Sequence, residues 1–178
     1  MYRHCPHCGK KYGKGGSTTE DYYKCNSCDF VFFNNPKPVA IGLILNKKKD
    51  SVLLTQRKIE PYKGYWSIPG GFLKYGECPE AALERELREE LSVNVKVGKL
   101  IDIYNEQYCN KGVEDEKYST LVLVFLIREI DHEKIKPADD ATEAKFFKFN
   151  KLPDLAFEKT KHVFRKHFKD VGKFRERG

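Results

Sequence analysis

From Gly70 the chain reads GGFLKYGECPEAALERELREELSV, a string in which Glu77, Arg85, Glu86, Glu89 and Glu90 stand at fixed intervals behind a glycine pair. Residues 86, 89 and 90 are related by i, i+3 and i+4, so a helix gathers three carboxylates into one sector. Left alone they repel one another and resist ionisation; a cation among them removes the conflict. Hard oxygen ligands of this kind suit Mg²⁺ or Mn²⁺. Leu83, Leu87 and Leu91 repeat every four residues and form an adjoining stripe for burial. The segment therefore predicts a helix with one face in a core and an ion-binding rim beside it.

Helix signals place this element over Cys78 to Leu91, with Pro79 in its first turn. Ahead of it Pro69-Gly70-Gly71 predicts a turn and a short strand. Val39 to Leu45 and Ser51 to Gln56 are β-rich runs separated by the polar turn Asn46-Lys47-Lys48-Lys49-Asp50, which predicts a hairpin. Leu100 to Tyr104, Tyr118 to Ile127 and Lys145 to Phe149 read as further strands, the second apolar enough to be central in a sheet. A second helix is expected from Ala156 to Phe168, with Phe157, Phe164, Phe168 and Val171 as its apolar stripe. Strands interleaved with helices predict an α/β fold.

Four cysteines fall early as Cys5-Pro-His-Cys8 and Cys25-Asn-Ser-Cys28, with sixteen residues between the pairs. Two such knuckles bring four thiolates to one tetrahedral Zn²⁺, and a complete set leaves His4 and His7 as bystanders. Full coordination leaves no open position for a reacting water, so the expected zinc is structural. A segment this short cannot supply a stabilising core of its own, and the metal must contribute much of its folding free energy. Gly13, Gly15 and Gly16 fit the loop between knuckles. Asn34-Asn35-Pro36-Lys37-Pro38 interrupts regular structure, giving an expected division into a zinc ribbon at 1–35 and a main domain at 36–178.

Length and charge set outer bounds. The 178 residues can bury one full core plus a small appended module. No apolar run approaches bilayer length, and the N-terminus lacks a secretory h-region. A reducing, cytoplasmic setting is expected, with the cysteines as ligands or buried thiols. Residues 158–178 hold eight Lys or Arg against three acids, so five of the seven net positive charges sit there. Together with the apolar stripe, this predicts a docked amphipathic helix with a solvated basic face rather than a nucleic-acid arm. Cys78, near a helix start, lacks an evident His partner and is not read as a nucleophile.

The central string resembles the Nudix box, and Gly64-Tyr65-Trp66-Ser67-Ile68-Pro69-Gly70-Gly71 is similar to that family's approach to it. The similarity covers residues 38 to 170 and implies an α/β/α sandwich with a mixed sheet. The preceding ribbon resembles the branch that includes dinucleotide pyrophosphatases. Carried onto this sequence, the resemblance implies Glu86, Glu89 and Glu90 as ligands of Mg²⁺ or Mn²⁺, helped by the Gly70 carbonyl, with Glu77 as the outer carboxylate. Arg85 would orient that set through charge-assisted hydrogen bonds. Ser92 departs from the pattern, standing where the family has a helix-ending glycine. The family draws its general base from the helix or from a downstream loop; Asp140 and Glu143, in the run 136–143, are the loop candidates, as base or extra metal ligand, with an ordinary acidic surface loop as the competing reading. Arg57, Lys63 and Lys74 are candidate phosphate contacts. Tyr62, Tyr65, Trp66, Phe72 and Tyr104 could stack on a base or flavin, or pack into the core.

The implied reaction is metal-dependent hydrolysis of a nucleoside diphosphate linked to a second moiety, with ADP-ribose or FAD the expected substrate. NADH is disfavoured, because the Ser-Gln-Pro-Trp-Pro-Phe-Pro motif of NADH-cleaving members is absent between Val93 and Ile130. Nucleoside triphosphates and dinucleoside polyphosphates stay open, since the same box serves them. From another class, the ribbon and basic tail could make a nucleic-acid-binding regulator with the Nudix fold as a sensor; intact Glu86, Glu89 and Glu90 argue against it. A small nucleotide is thus the expected partner, with no membrane, no nucleic acid, and a homodimer as the default assembly.

Overall fold

The computed structural model describes residues 3–12, 22–109 and 117–168. Gly13, Gly15, Gly16, Val171 and the basic residues after Phe168 lie outside them. The first two strands, β1 (Tyr22–Lys24) and β2 (Val31–Phe33), pair antiparallel as a small separate sheet. Then follow β3 (Lys37–Leu43), β4 (Ser51–Arg57), β5 (Trp66–Ser67), β6 (Gly70–Phe72) and helix α1 (Pro79–Leu91). The chain continues through β7 (Val95–Cys109), β8 (Lys117–Ile130), a single 3₁₀ turn, β9 (Ala141–Lys148) and α2 (Glu158–Phe168).

The larger sheet runs β6-β3-β8-β7 and is mixed, because β3 and β8 are parallel while β6 and β7 are antiparallel to their neighbours. A second, antiparallel sheet runs β5-β4-β9. Side chains along each strand alternate between two cores, as a period of two requires. Ala40, Ile44, Leu53, Phe125 and Ile127 pack against Leu83, Leu87 and Leu91 of α1. Their neighbours Ile41, Leu43, Val52, Leu54, Val122 and Val124 pack on the opposite side with Val163, Phe164 and Phe168 of α2. The result is the expected α/β/α sandwich. β8 is interior in its sheet, as its apolar run predicts. Among the described residues no helix is long and apolar enough to cross a membrane.

Three expectations are corrected. The β3–β4 hairpin forms only at its closed end: Asn46 N–H bonds Ser51 O at 3.0 Å, Leu53 N–H bonds Ile44 O at 2.8 Å, and the strands then part into different sheets. Both edges of β3 are already occupied, by β6 and β8, so β4 finds its partners elsewhere. β9 begins at Ala141 rather than Lys145 because β4 pairs with it through Arg57, across a bulge; Glu143 is therefore a strand residue opposite Gln56. Phe157 precedes α2 instead of joining its stripe, while Phe164 and Phe168 are buried as expected.

Pro79 opens α1 where no intrahelical N–H is needed, and Cys78 holds the N-cap position in extended conformation. At the other end Ser92 is left-handed, with φ 57° and its N–H bonded to Arg88 O at 3.0 Å. A side chain in this region costs energy that glycine avoids. Ser92 is exposed and its replacement touches no packing. Ser92→Gly should therefore raise stability by about 0.5–1 kcal/mol, seen as a higher urea midpoint at constant slope, with turnover unchanged.

Candidate active site

α1 presents its acidic rim to β6. Gly70 has φ 136°, and a Cβ there would lie 2.2 Å from Ala40 O, so only glycine allows β6 to pair this closely with β3. A Cβ on Gly71 would lie 2.6–2.7 Å from the Glu86 carboxyl group. The missing side chain at 71 is thus the space that Glu86 occupies. Glu90 reaches the same place from one turn further along, accepting a 3.2 Å hydrogen bond from Gly70 N–H.

Arg85 fastens this edge. Its Nε and Nη2 grip both oxygens of Glu77 at 2.9 Å, Nη1 reaches Glu86 at 2.6 Å and Glu89 at 3.0 Å, and Nη2 also donates to Phe72 O at 3.1 Å. Five contacts match the five N–H donors of a guanidinium. Arg85 and the backbone N–H of Lys74 pull the Glu77 carboxyl down to about 2. Both Glu77 oxygens are thereby engaged, which sets this residue in the layer that holds Arg85, away from the cleft. Glu89 stands on the exposed edge, 3.8 Å from Lys74 Nζ.

A cleft of about 450 Å³ opens beside these groups. Glu86, Glu90, Gly70, Arg57, Phe72, Lys74 and Asp140 all line it. Burial raises the Glu90 carboxyl to about 8; the Gly70 N–H and Arg57 oppose that rise, and the charges of Glu86 and Asp140 add to it. Carboxylates converging from the helix and the loop make a donor set suited to a hard divalent cation. Asp140 is brought here by the end of α1: Lys136 N–H bonds Leu91 O at 2.9 Å and Ala138 N–H bonds Glu90 O at 2.8 Å, filling carbonyls that a helix terminus leaves unpaired.

Other sequence candidates are placed elsewhere. Glu143 pairs with Lys145 on β9 and does not line the cleft. Lys63 is exposed in the β4–β5 connection, also outside the lining. Trp66 packs its ring on Phe147 at 4.7 Å and belongs to the margin of the α2-side core, while its backbone clamps residues 154 to 156. Tyr104 does line the cleft, where burial pushes its phenol up. Sequence patterns gave no sign of Glu106, Thr120, Phe157 and Thr160 as cleft residues. They come from β7, β8, the residue before α2 and the first turn of α2, and only the packing of those elements assembles them.

At the N-terminus, the sulfurs of Cys5, Cys8, Cys25 and Cys28 all lie within 4.8 Å of one another. Cys5–Cys28 and Cys8–Cys25 separations are 3.8 and 3.7 Å. A tetrahedron with Zn–S bonds of about 2.3 Å has edges of about 3.8 Å, so the set fits zinc. The two knuckles repeat one geometry. Gly9 N–H bonds Cys5 O and Asp29 N–H bonds Cys25 O, both at 2.9 Å, with left-handed backbone at Gly9 and Asp29. His7 lies outside the set, stacked on Phe30.

Residues 36–168 match the family model of the NUDIX domain. The chain is 35% identical over 155 residues to the ADP-ribose pyrophosphatase of Methanocaldococcus jannaschii, covering 87% of this chain and 84% of that protein. It is 29% identical over 154 residues to the NAD-capped RNA hydrolase NudC of Pseudomonas fluorescens, covering 86% of this chain and 51% of the relative, so it spans about half of the latter's length. A Nudix hydrolase crystal structure from Nitrosomonas europaea shares the fold with TM-score 0.64 at 23% identity, over 88% of this chain and 85% of that one. Matched by the family model over residues 36–168 and by a relative across most of both lengths, the chain belongs to the Nudix family of pyrophosphohydrolases.

Proposed function

We propose that this pyrophosphohydrolase cleaves ADP-ribose, or a nucleoside diphosphate of similar build such as FAD, with Mg²⁺ or Mn²⁺ held by Glu86, Glu90 and the Gly70 carbonyl and with Glu89 at the rim. The observation that carries the reading is the convergence of Glu86, Glu90 and Asp140 on one cleft that also carries Arg57 and Lys74. Bound there, a divalent cation supplies charge for the phosphate oxygens and acidifies the attacking water. Arg57 and Lys74 bind the diphosphate, Arg85 holds Glu86 and Glu89 in orientation, and Asp140 accepts the proton of the attacking water. The ADP-ribose preference rests on the M. jannaschii relative. NAD-type substrates are the second reading, supported by the NudC relative and opposed by the missing Ser-Gln-Pro-Trp-Pro-Phe-Pro motif. The ribbon at 1–35 acts as a structural zinc module beside the hydrolase domain at 36–178.

A panel of ADP-ribose, FAD, NADH and nucleoside triphosphates with Mg²⁺ or Mn²⁺ tests the substrate; release of AMP from ADP-ribose is expected, and its absence refutes the preference. Glu90→Gln should lower turnover at least about 10²-fold while metal-free thermal stability holds. The second result follows because Glu90 keeps its proton up to about pH 8 in the folded chain and loses it near 4.5 when unfolded. Between those values the native state binds the extra proton, so metal-free stability falls as pH rises. Cation binding must displace that proton. Mg²⁺ should therefore raise Tm more above pH 8 than near pH 6, a difference absent from Glu90→Gln. For the ribbon, elemental analysis should find one zinc per chain, and Cys25→Ser should lose it together with thermal stability.

A further inference from the structure

At the end of the cleft formed by β7, β8 and α2, Glu106 carries a polar atom the hydrolytic machinery does not use. Its Oε2 is buried and has no hydrogen-bond partner. Lys159, in the first turn of α2, lies within electrostatic reach of the carboxyl group. Around it, Thr120 Oγ1 donates to the Glu106 carbonyl at 3.0 Å, which fixes the backbone across β7 and β8. Tyr104 and Thr160 line the same end. An unpaired buried acceptor is costly, and native proteins seldom keep one without use. Burial raises the Glu106 carboxyl, Glu158 adds to the rise, and Lys159 opposes it. Glu106 lines the cleft, and the terminal torsion of Glu is soft, so its carboxyl group can rotate there.

We propose that Glu106 is a specificity-determining residue whose unpaired oxygen accepts a hydrogen bond from an uncharged donor, a sugar hydroxyl or a base amine, on the substrate beyond the diphosphate. The inference rests on the cleft being the substrate site. A carboxylate here rewards a neutral donor and repels a phosphate, so it selects against substrates that would place a further phosphoryl group at this end. Glu86, Glu90 and Asp140 gather around the diphosphate chemistry, whereas Glu106 belongs to the strand-and-helix end. It thus reads the part of the substrate that the shared glutamate motif leaves unspecified.

The test pairs a side-chain change with a substrate change. Steady-state kinetics are measured for wild type, Glu106→Gln and Glu106→Ala on ADP-ribose and on three analogues, each lacking one donor: the adenine amine (hypoxanthine in its place), the adenosine 2′-hydroxyl, or the distal-ribose 2-hydroxyl. Glu106→Ala should raise KM for ADP-ribose by about 10-fold or more with kcat within about twofold, since a hydrogen bond to a charged group is lost. On one analogue wild type should already show that loss, and Glu106→Ala should add nothing to it. That analogue identifies the donor. If Glu106→Ala lowers kcat/KM equally on ADP-ribose and all analogues, or changes neither constant, the proposal is overturned. Glu106→Gln, which keeps the size, should retain folding and show an intermediate KM. Wild-type turnover of ADP-ribose tests the reading of the cleft separately; should another nucleotide of the panel be the substrate, the same ratios are taken on it and its donor-lacking analogues.

Discussion

The site depends first on the guanidinium of Arg85. Glu77, Glu86 and Glu89 approach it from the loop and from two positions of α1, and the Phe72 carbonyl approaches from β6. Each acceptor meets one fixed direction of a planar fork, so the loop, strand and helix lock together in one register. Lysine offers a point charge without those directions and would hold fewer of them. Only about a sixth of each of Arg85 and Glu77 remains exposed, and this limited access strengthens a network that would be weak at an open surface.

The second constraint is the end of α1. Its last turn leaves carbonyls that need donors, and the segment after β8 supplies two of them, from Lys136 and Ala138. Satisfying the helix terminus therefore delivers Asp140 to the cleft beside Glu90. Lys58, the residue after β4, completes the arrangement, its N–H bonding Asp140 O at 2.8 Å. A backbone requirement of the helix has become a device for positioning a carboxylate. Glu143, three residues later, has already been taken into β9 and turned to Lys145.

That contrast explains what could be read from the sequence. α1, its leucine stripe, the carboxylate sector and the two cysteine knuckles depend on spacings of two to eight residues, and local geometry fixes them. The choice between Asp140 and Glu143 depends on hydrogen bonds to a helix some fifty residues earlier, for which the loop carries no local signal. Trp66 had two uses compatible with its chemistry, and the position of Phe147 on a distant strand decided for packing. The β3–β4 turn was legible, but the competition of β6 and β8 for the edges of β3 was not. Glu106 is the twelfth residue of a fifteen-residue strand with no motif around it, and only the buried carboxyl oxygen and its place in the cleft distinguish it.

Charge compensation is distributed unevenly across the molecule, and the unevenness follows the chemistry. On the side of α1 facing Arg85, acceptors and donors match in number, and the Glu77 carboxyl is held down at about 2. On the side facing the cleft, Glu86, Glu90 and Asp140 crowd together with Arg57 as the main opposing charge on Glu90, whose carboxyl is driven up to about 8. A protein selected for stability alone would not place its repulsion there, because buried like charges oppose folding. The matched side anchors the conflict that the cleft side carries. Rigidity and reactivity thus lie one helical face apart, and Arg85, touching Glu86 on that boundary at 2.6 Å, joins them.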